Sequence, residues 1–99
     1  MALLGSQRSY LRGLAHELRP VVQIGKEGLT EAVVESIRQA LSTRELIKVQ
    51  FVGSREDKRP IAELIDGQLG TECVGIIGHV AVFYREHPDP EKRAIRLPE

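Results

Sequence analysis

The sequence has few aromatic residues, one cysteine and no net charge. Its 99 residues include two Tyr, two Phe and no Trp. This disfavours a protein that binds single strands by stacking bases on many aromatic rings. The 14 basic and 14 acidic side chains balance, which argues against a polycation that coats nucleic acid. A single cysteine, Cys73, cannot form an internal disulfide, and its apolar surroundings predict a buried core residue.

Long apolar runs are also missing. No stretch approaches the roughly 20 apolar residues that a membrane-spanning helix requires. The N-terminal segment MALLGSQRSY has too short an apolar patch for a signal peptide. We therefore expect a protein of the reducing cytoplasm, without a membrane partner. The apolar fraction of 41% and the charged fraction of 28% are ordinary, so residues 1–99 are predicted to form one globular domain.

Hydrophobic periodicity predicts seven regular elements in the order α-β-α-β-α-β-β. The predicted helices cover 6–18 and 30–42, and a third helix lies between a polar turn at 53–57 and Gly70. The predicted strands cover 21–24, 45–52, 73–77 and 80–85. This order predicts an α/β (α+β) fold, in which three helices pack on a four-stranded mixed sheet whose first two strands are parallel. Outside this core of about 6–85, the proline-containing residues 86–99 are predicted to form a partly ordered tail, with an extended piece at 94–97.

Each predicted helix carries an apolar stripe at helical spacing. Ser6 and Thr30 are the predicted N-caps of the first two helices. The stripes consist of Leu11, Leu14, Ala15 and Leu18; of Val33, Ile37, Ala40 and Leu41; and of Ile61, Leu64, Ile65 and Leu69. A second stripe on the first helix consists of Arg8, Arg12, His16 and Arg19. Its simplest interpretation is a solvated surface, and a local anion-binding face is the alternative.

The loop GKEG, residues Gly25, Lys26, Glu27 and Gly28, joins a predicted strand to a predicted helix. Glycines allow a ligand backbone to approach closely, the start of a helix exposes N–H groups, and Lys26 adds a cation suited to phosphate. The spacing does not fit the G-x-x-x-x-G-K-[ST] loop that binds nucleoside triphosphates. The loop alone leaves two interpretations open, a phosphate-backbone clamp and a glycine-rich connector without a ligand.

Catalysis has little support in the sequence. His16, His79 and His87 are scattered, and no nucleophile–base pair or carboxylate cluster is visible. We therefore predict that the protein is not an enzyme and needs neither a metal nor another cofactor.

Three strings together resemble the CRM domain, whose name stands for chloroplast RNA splicing and ribosome maturation. They are LRGLAH, PVVQIGKEGLT and IGHVAVFYR, and the likeness covers about residues 8–85. The chain is particularly similar to bacterial single-domain proteins of the YhbY type. The resemblance implies a compact RNA-binding domain, similar in fold to the C-terminal domain of translation initiation factor three. It also implies that GKEG is the G-x-x-G loop of the family, likened to KH-domain loops that clamp RNA backbones.

From this resemblance we expect a monomer that binds ribosomal RNA or a precursor particle and assists maturation of the large ribosomal subunit. The expected RNA contacts are Gly25, Lys26, Glu27, Gly28, Arg12 and Arg19, with Arg8, His16, His79 and Arg85 as further candidates. His79 stands where the family often has lysine, so it would contact phosphate weakly at neutral pH. Arg85 could instead pair with a carboxylate. The alternative function is a protein-interaction module that docks on a ribosomal protein or assembly factor through the face around Glu31 and Glu35, or through the tail.

Overall fold

The computed structural model describes residues 3–53 and 56–99, so Ser54 and Arg55 of the predicted turn lie outside the described residues. The helices are α1 (Gly5–Ala15), α2 (Glu31–Thr43) and α3 (Lys58–Leu69), and the strands are β1 (Pro20–Ile24), β2 (Leu46–Phe51), β3 (Glu72–Ile77) and β4 (Val80–Tyr84). A short 3-10 helix follows at Pro90–Lys92. The predicted order of elements is confirmed. None of the described helices combines the length and the apolar character needed to cross a membrane.

The four strands form one mixed sheet in the order β1-β2-β4-β3. β1 runs parallel to β2, as predicted, while β4 runs antiparallel to both of its neighbours. Helices α2 and α3 cover one face of the sheet, and α1 with the tail covers part of the other. The prediction of three helices on a four-stranded mixed sheet is therefore confirmed.

The larger core lies between the sheet and helices α2 and α3. Strand alternation directs Ile47, Val49 and Phe51 of β2 into it, each 1% exposed or less. Burial of each such side chain contributes roughly 1.5–3 kcal/mol relative to exposure. Cys73 belongs to the same cluster and is 5% exposed, and burial raises the pKa of its thiol. The expectation of a buried core cysteine is confirmed.

Helix α1 differs from its predicted limits at both ends. It begins after Leu4, not Ser6, because the side-chain Oε1 of Gln7 accepts the Leu4 N–H at 2.9 Å and satisfies the start of the helix. It ends at Ala15, three residues earlier than predicted. The N–H of His16 donates to Gly13 O and that of Leu18 to Ala15 O, which are the tight bonds of a closing turn. The chain must then become extended before Pro20.

Two leucines of the predicted stripes are exposed. Leu14 is 38% exposed and Leu64 is 54% exposed. At about 100° per residue, Leu14 lies roughly 60° around the helix from Leu11, on the flank of the face that Leu11 and Ala15 bury. Leu64 lies more than about 90° from the centre of the buried arc of α3, because Ala62 also packs inward and shifts that arc.

The predicted ends of the other elements are confirmed where side chains set them. Thr30 Oγ1 accepts the Val33 N–H at 3.2 Å and caps α2. Gly70 ends α3 with φ 67°, in the left-handed region. Gly78 and His79 form the two-residue turn between β3 and β4, and Gly78 has φ 59°, as a glycine in the first position of such a turn often has.

The tail is anchored by a buried carboxylate, Glu45, which is 4% exposed. Its Oε2 accepts the N–H of His87 at 2.8 Å, and its Oε1 accepts those of Ala94 at 2.8 Å and Ile95 at 2.9 Å. Ile95 and Leu97 then pack against the cluster beneath α1. Residues 94–97 thus contact the domain without joining a strand of the sheet.

The hydrogen bonds of Glu45 predict an acid-sensitive stability. Burial alone raises the pKa of this carboxyl, but the N–H groups of His87, Ile95 and Ala94 and the charge of His87 outweigh burial and hold the pKa below its usual 4.5. Because the pKa of Glu45 is lower in the folded state than in the unfolded state, its carboxylate stabilises the fold. This stabilisation is fully present above the unfolded-state pKa and is lost as the pH falls through the folded-state pKa.

Urea unfolding at a series of pH values between about 7 and 3 measures this loss. We expect the free energy of unfolding to fall below about pH 4.5, and to fall less steeply when Glu45 is replaced with glutamine. Equal pH dependence of the two proteins would mean that another carboxyl is responsible.

Candidate nucleic-acid interface

Three connections meet at one end of the sheet, which we call the loop end. The parallel arrangement of β1 and β2 brings Gly25 and Val52 to the same end, and the antiparallel β4 brings the Gly78–His79 turn there too. Hydrogen bonds tie these segments together, from Phe51 N–H to His79 O at 2.7 Å and from Val52 N–H to Ile24 O at 2.9 Å. The structure therefore places His79 at the same end as the GKEG loop.

The GKEG loop is a tight turn that leads directly into α2. The Gly28 N–H donates to Gly25 O at 3.0 Å, so Lys26 and Glu27 occupy the exposed tip. Gly28 is buried with φ 75°, a conformation that side-chain-bearing residues rarely adopt. Its carbonyl accepts the Thr30 N–H at 3.1 Å, and Thr30 then caps the helix. The loop thus holds its exposed lysine close to a helix N-terminus.

Lys26 is available for a ligand. Within residues 3–53 and 56–99, it forms no hydrogen bond or ion pair. The neighbouring Glu27 is also exposed and opposes an anion unless it points away from it. Beside Gly25, no described atom lies within 4 Å of the position that a Cβ would occupy. Lys26 at the tip of the turn can supply a positive charge to a phosphate.

Two arginines of α1 fasten that helix to β3. Arg8 pairs with Glu72 and donates to Cys73 O at 2.7 Å. Arg12 donates to Val74 O at 2.8 Å, and its methylene groups cross Gly75 so closely that a Cβ there would lie 2.8 Å from Arg12 Cδ. These guanidinium groups therefore have structural partners. Arg12 nevertheless remains an exposed residue.

The other candidate residues do not gather around the loop. His16 is the exposed C-cap of α1, and Arg19 lies beyond that helix, so the prediction that Arg19 shares a helical stripe with Arg8 and Arg12 is wrong. Arg19 precedes β1, whereas GKEG follows it, a separation of roughly 16 Å along a strand of this length. Arg85 lies at the far end of β4 and donates to Leu69 O at 3.0 Å, which satisfies the end of α3. The bond of Arg85 is thus to a carbonyl, where the sequence suggested a carboxylate.

One surface of the sheet beside the loop end was not predicted. The alternation of β2 correctly predicted that Lys48 and Gln50 point away from the larger core. It could not predict how far α1 would extend over that side of the sheet. The strings VVQI and KVQF, with a glutamine just before the last residue, are the only local signal, and such a pattern is common in ordinary strands. Among the described residues, no group of three or more His, Cys, Asp or Glu side chains is placed to hold a metal ion.

Similarities in sequence and in fold relate this chain to known proteins. The model of the CRS1/YhbY (CRM) domain matches residues 3–85. A Haemophilus influenzae protein named RNA-binding protein is 44% identical over 93 residues, which cover 93% of this chain and 91% of the relative. A Bacillus subtilis protein named a probable RNA-binding protein is 38% identical over 97 residues, with coverage of 97% and 99%. The solution structure of a hypothetical protein from Staphylococcus aureus matches the fold with a TM-score of 0.82 at 39% identity, covering 98% of this chain and all of that one.

Proposed function

This chain belongs to the CRS1/YhbY (CRM) domain family, and on that basis we propose that it binds RNA and holds the sugar–phosphate backbone with the loop Gly25–Gly28. The observation that carries the proposal is the geometry of this loop. An exposed lysine without a described partner stands at the tip of a tight glycine turn, beside a capped helix N-terminus. These groups suit a phosphate, and contacts to phosphate position a protein without reading sequence. The names of the bacterial relatives support RNA as the ligand.

The RNA that we propose is ribosomal RNA of the large subunit. The protein would bind it as a monomer, in the cytoplasm, during subunit maturation. The role that the resemblance to YhbY-type proteins implies supports this choice. The proposed role is non-catalytic, since the loop contributes backbone groups and a cation but no nucleophile–base pair. The protein would hold or shield an RNA segment while the particle assembles.

Reversing the charge of Lys26 tests the loop. We expect Lys26→Glu to weaken binding to a large-subunit ribosomal RNA fragment by about ten-fold or more, because one charge-assisted contact becomes a repulsion. The slope of log affinity against log salt should fall by roughly 0.7–0.9 for the lost phosphate contact. Lys92→Glu is the matched control, because Lys92 is exposed on the distant 3-10 helix. Fluorescence anisotropy at several salt concentrations measures both quantities.

Equal affinity of Lys26→Glu and Lys92→Glu, or binding that does not depend on salt, would contradict the proposed clamp. Crosslinking in living cells with the same two variants tests the RNA partner. Crosslinks clustered on large-subunit ribosomal RNA and lost in Lys26→Glu are the expected result. Signal scattered over many RNAs would contradict the ribosomal assignment. An absence of RNA above background would favour the protein-interaction module.

A further inference from the structure

A row of side chains crosses the sheet immediately before the loop end. Strand register pairs Gln23 with Gln50, Gln50 with Val80, and Val80 with Ile77. Phe51 and Ile24, the next residues of β2 and β1, lie in the core beneath α2 and α3, so by alternation the row faces the opposite side, on which α1 packs. We call this row, with the flanking Val21 and Val52, the open face.

Helix α1 does not reach the open face. It covers the preceding row, where Arg12 crosses Gly75 and Lys48 Nζ donates to Leu18 O at 3.0 Å. One row further on, Gln23 is exposed and Gln50 and Val80 are half-buried. Ile77 is 63% exposed, Val52 47% and Val21 41%. Three of the large exposed apolar side chains of this small domain thus lie together on one side of the sheet, beside two amides.

The charges around the open face favour an anionic ligand. The described strands direct two charged side chains to this side, Lys48 and Glu72, and Glu72 is paired with Arg8. Arg12, an exposed residue whose side chain crosses Gly75, borders the face on one side. Lys26 lies three residues after Gln23, on the loop that follows β1. The face is therefore neutral in its centre and bordered by three cations and by the exposed carboxylate of Glu27, an arrangement that suits bases in the centre and phosphates beside the cations.

We propose that the open face binds the bases of an unpaired RNA segment whose backbone is held by the GKEG loop. This proposal rests on the proposed function and names its substrate class, unpaired RNA as opposed to double-helical RNA. Glutamine amides can donate to and accept from base edges, and the aliphatic side chains can pack on base surfaces. In an A-form duplex the bases are stacked on one another and their major-groove edges are inaccessible, so their surfaces are not available for packing on the aliphatic side chains.

The dimensions of the face suit a short segment. Four strands about 4.8 Å apart span roughly 14 Å. Four-stranded sheets of this width hold two or three unstacked bases in RRM domains, although there on aromatic rings. Without rings, stacking is weaker on this face, so the amides and the GKEG loop must supply more of the affinity.

The test compares two probes and two glutamine pairs. The probes are a short RNA that cannot pair with itself and the blunt duplex of the same strand. Gln23→Glu/Gln50→Glu places two carboxylates on the open face, and Gln39→Glu/Gln68→Glu makes the same change on exposed positions of α2 and α3. We expect the first pair to weaken single-strand binding by about ten-fold or more, through lost hydrogen bonds and repulsion of phosphate. The second pair should bind like the unaltered protein.

Ile77→Ser provides a second variant that adds no charge and alters a side chain that is mostly exposed in the folded domain. It should weaken single-strand binding several-fold and leave the melting temperature nearly unchanged. The unaltered protein should prefer the single strand to the duplex, and Lys26→Glu should weaken binding to both probes.

Equal binding of both probes, or single-strand affinity unaffected by Gln23→Glu/Gln50→Glu, would overturn the open-face proposal. If Lys26→Glu still weakens binding in that case, the loop clamp survives and only the base-binding face is wrong. A lack of binding to either probe by the unaltered protein would remove both proposals. A concentration-dependent dimer that Ile77→Ser abolishes would assign the face to a second copy of the chain and likewise overturn its assignment to RNA.

Discussion

Replacing Glu45 with glutamine is expected to lower the free energy of unfolding by about 3 kcal/mol and the melting temperature by roughly 12–24 °C. The carboxylate is almost fully buried and accepts three backbone N–H groups from the tail. Glutamine offers one acceptor oxygen, and its NH₂ group would face a backbone donor. At least one buried N–H would thus lose its partner, and the loss of a charged acceptor weakens the others.

Glu91→Gln is the matched control, because Glu91 is exposed on the 3-10 helix of the same tail. Thermal unfolding followed by circular dichroism at neutral pH compares the two variants. We expect the control to melt within about 2 °C of the unaltered protein, since surface changes rarely exceed about 0.5 kcal/mol. If Glu45→Gln had the same melting temperature as Glu91→Gln, the anchoring of the tail would not depend on the buried carboxylate.

Replacing Gly28 with valine is expected to lower the free energy of unfolding by about 2–3 kcal/mol and to weaken RNA binding by the same protein. Gly28 has φ 75°, and a β-branched residue in this conformation is strained. The residue is also buried, which leaves little room for an additional side chain. Both effects should distort the turn that presents Lys26.

The first glycine of the loop provides the control. Gly25 is not among the glycines with positive φ, and no described atom lies within 4 Å of its would-be Cβ. Gly25→Ala should therefore change stability by less than about 1 kcal/mol. Urea unfolding and anisotropy on both variants separate folding from binding. A Gly28→Val protein that is as stable as Gly25→Ala and binds RNA as well as the unaltered protein would disprove this account of Gly28.

The elements of the fold were predictable because their signals are local. Thr30 caps α2, Gly70 ends α3, and the alternation of Ile47, Val49 and Phe51 fixes the inner face of β2. The stripe leucines were less predictable, because spacing gives only relative angles around a helix. Which arc is buried depends on the neighbouring elements, and this left Leu14 and Leu64 exposed.

The candidate site was predictable in its centre only. The glycines of GKEG and their helix could be identified from the chain itself, and the structure adds the turn and the positive φ of Gly28. The partners of Arg8, Arg12 and Arg85 could not be predicted, since each donates to a backbone carbonyl that is distant in the sequence. Arg8 also pairs with a partly buried glutamate on β3. The same holds for Glu45, whose tail partners lie more than 40 residues away along the chain. Long-range hydrogen bonds to the backbone leave no side-chain pattern in a single sequence.

The contacts of Arg8 and Arg12 with β3 have a consequence for self-association. β3 is an outermost strand, and such strands offer unpaired backbone groups to which another chain can add a strand and begin to aggregate. The two guanidinium groups occupy the Cys73 and Val74 carbonyls, and the irregular register between Cys73 and Gly75 breaks the edge at the same point. Two arginines that the family resemblance would assign to RNA therefore protect an edge strand from pairing with other molecules.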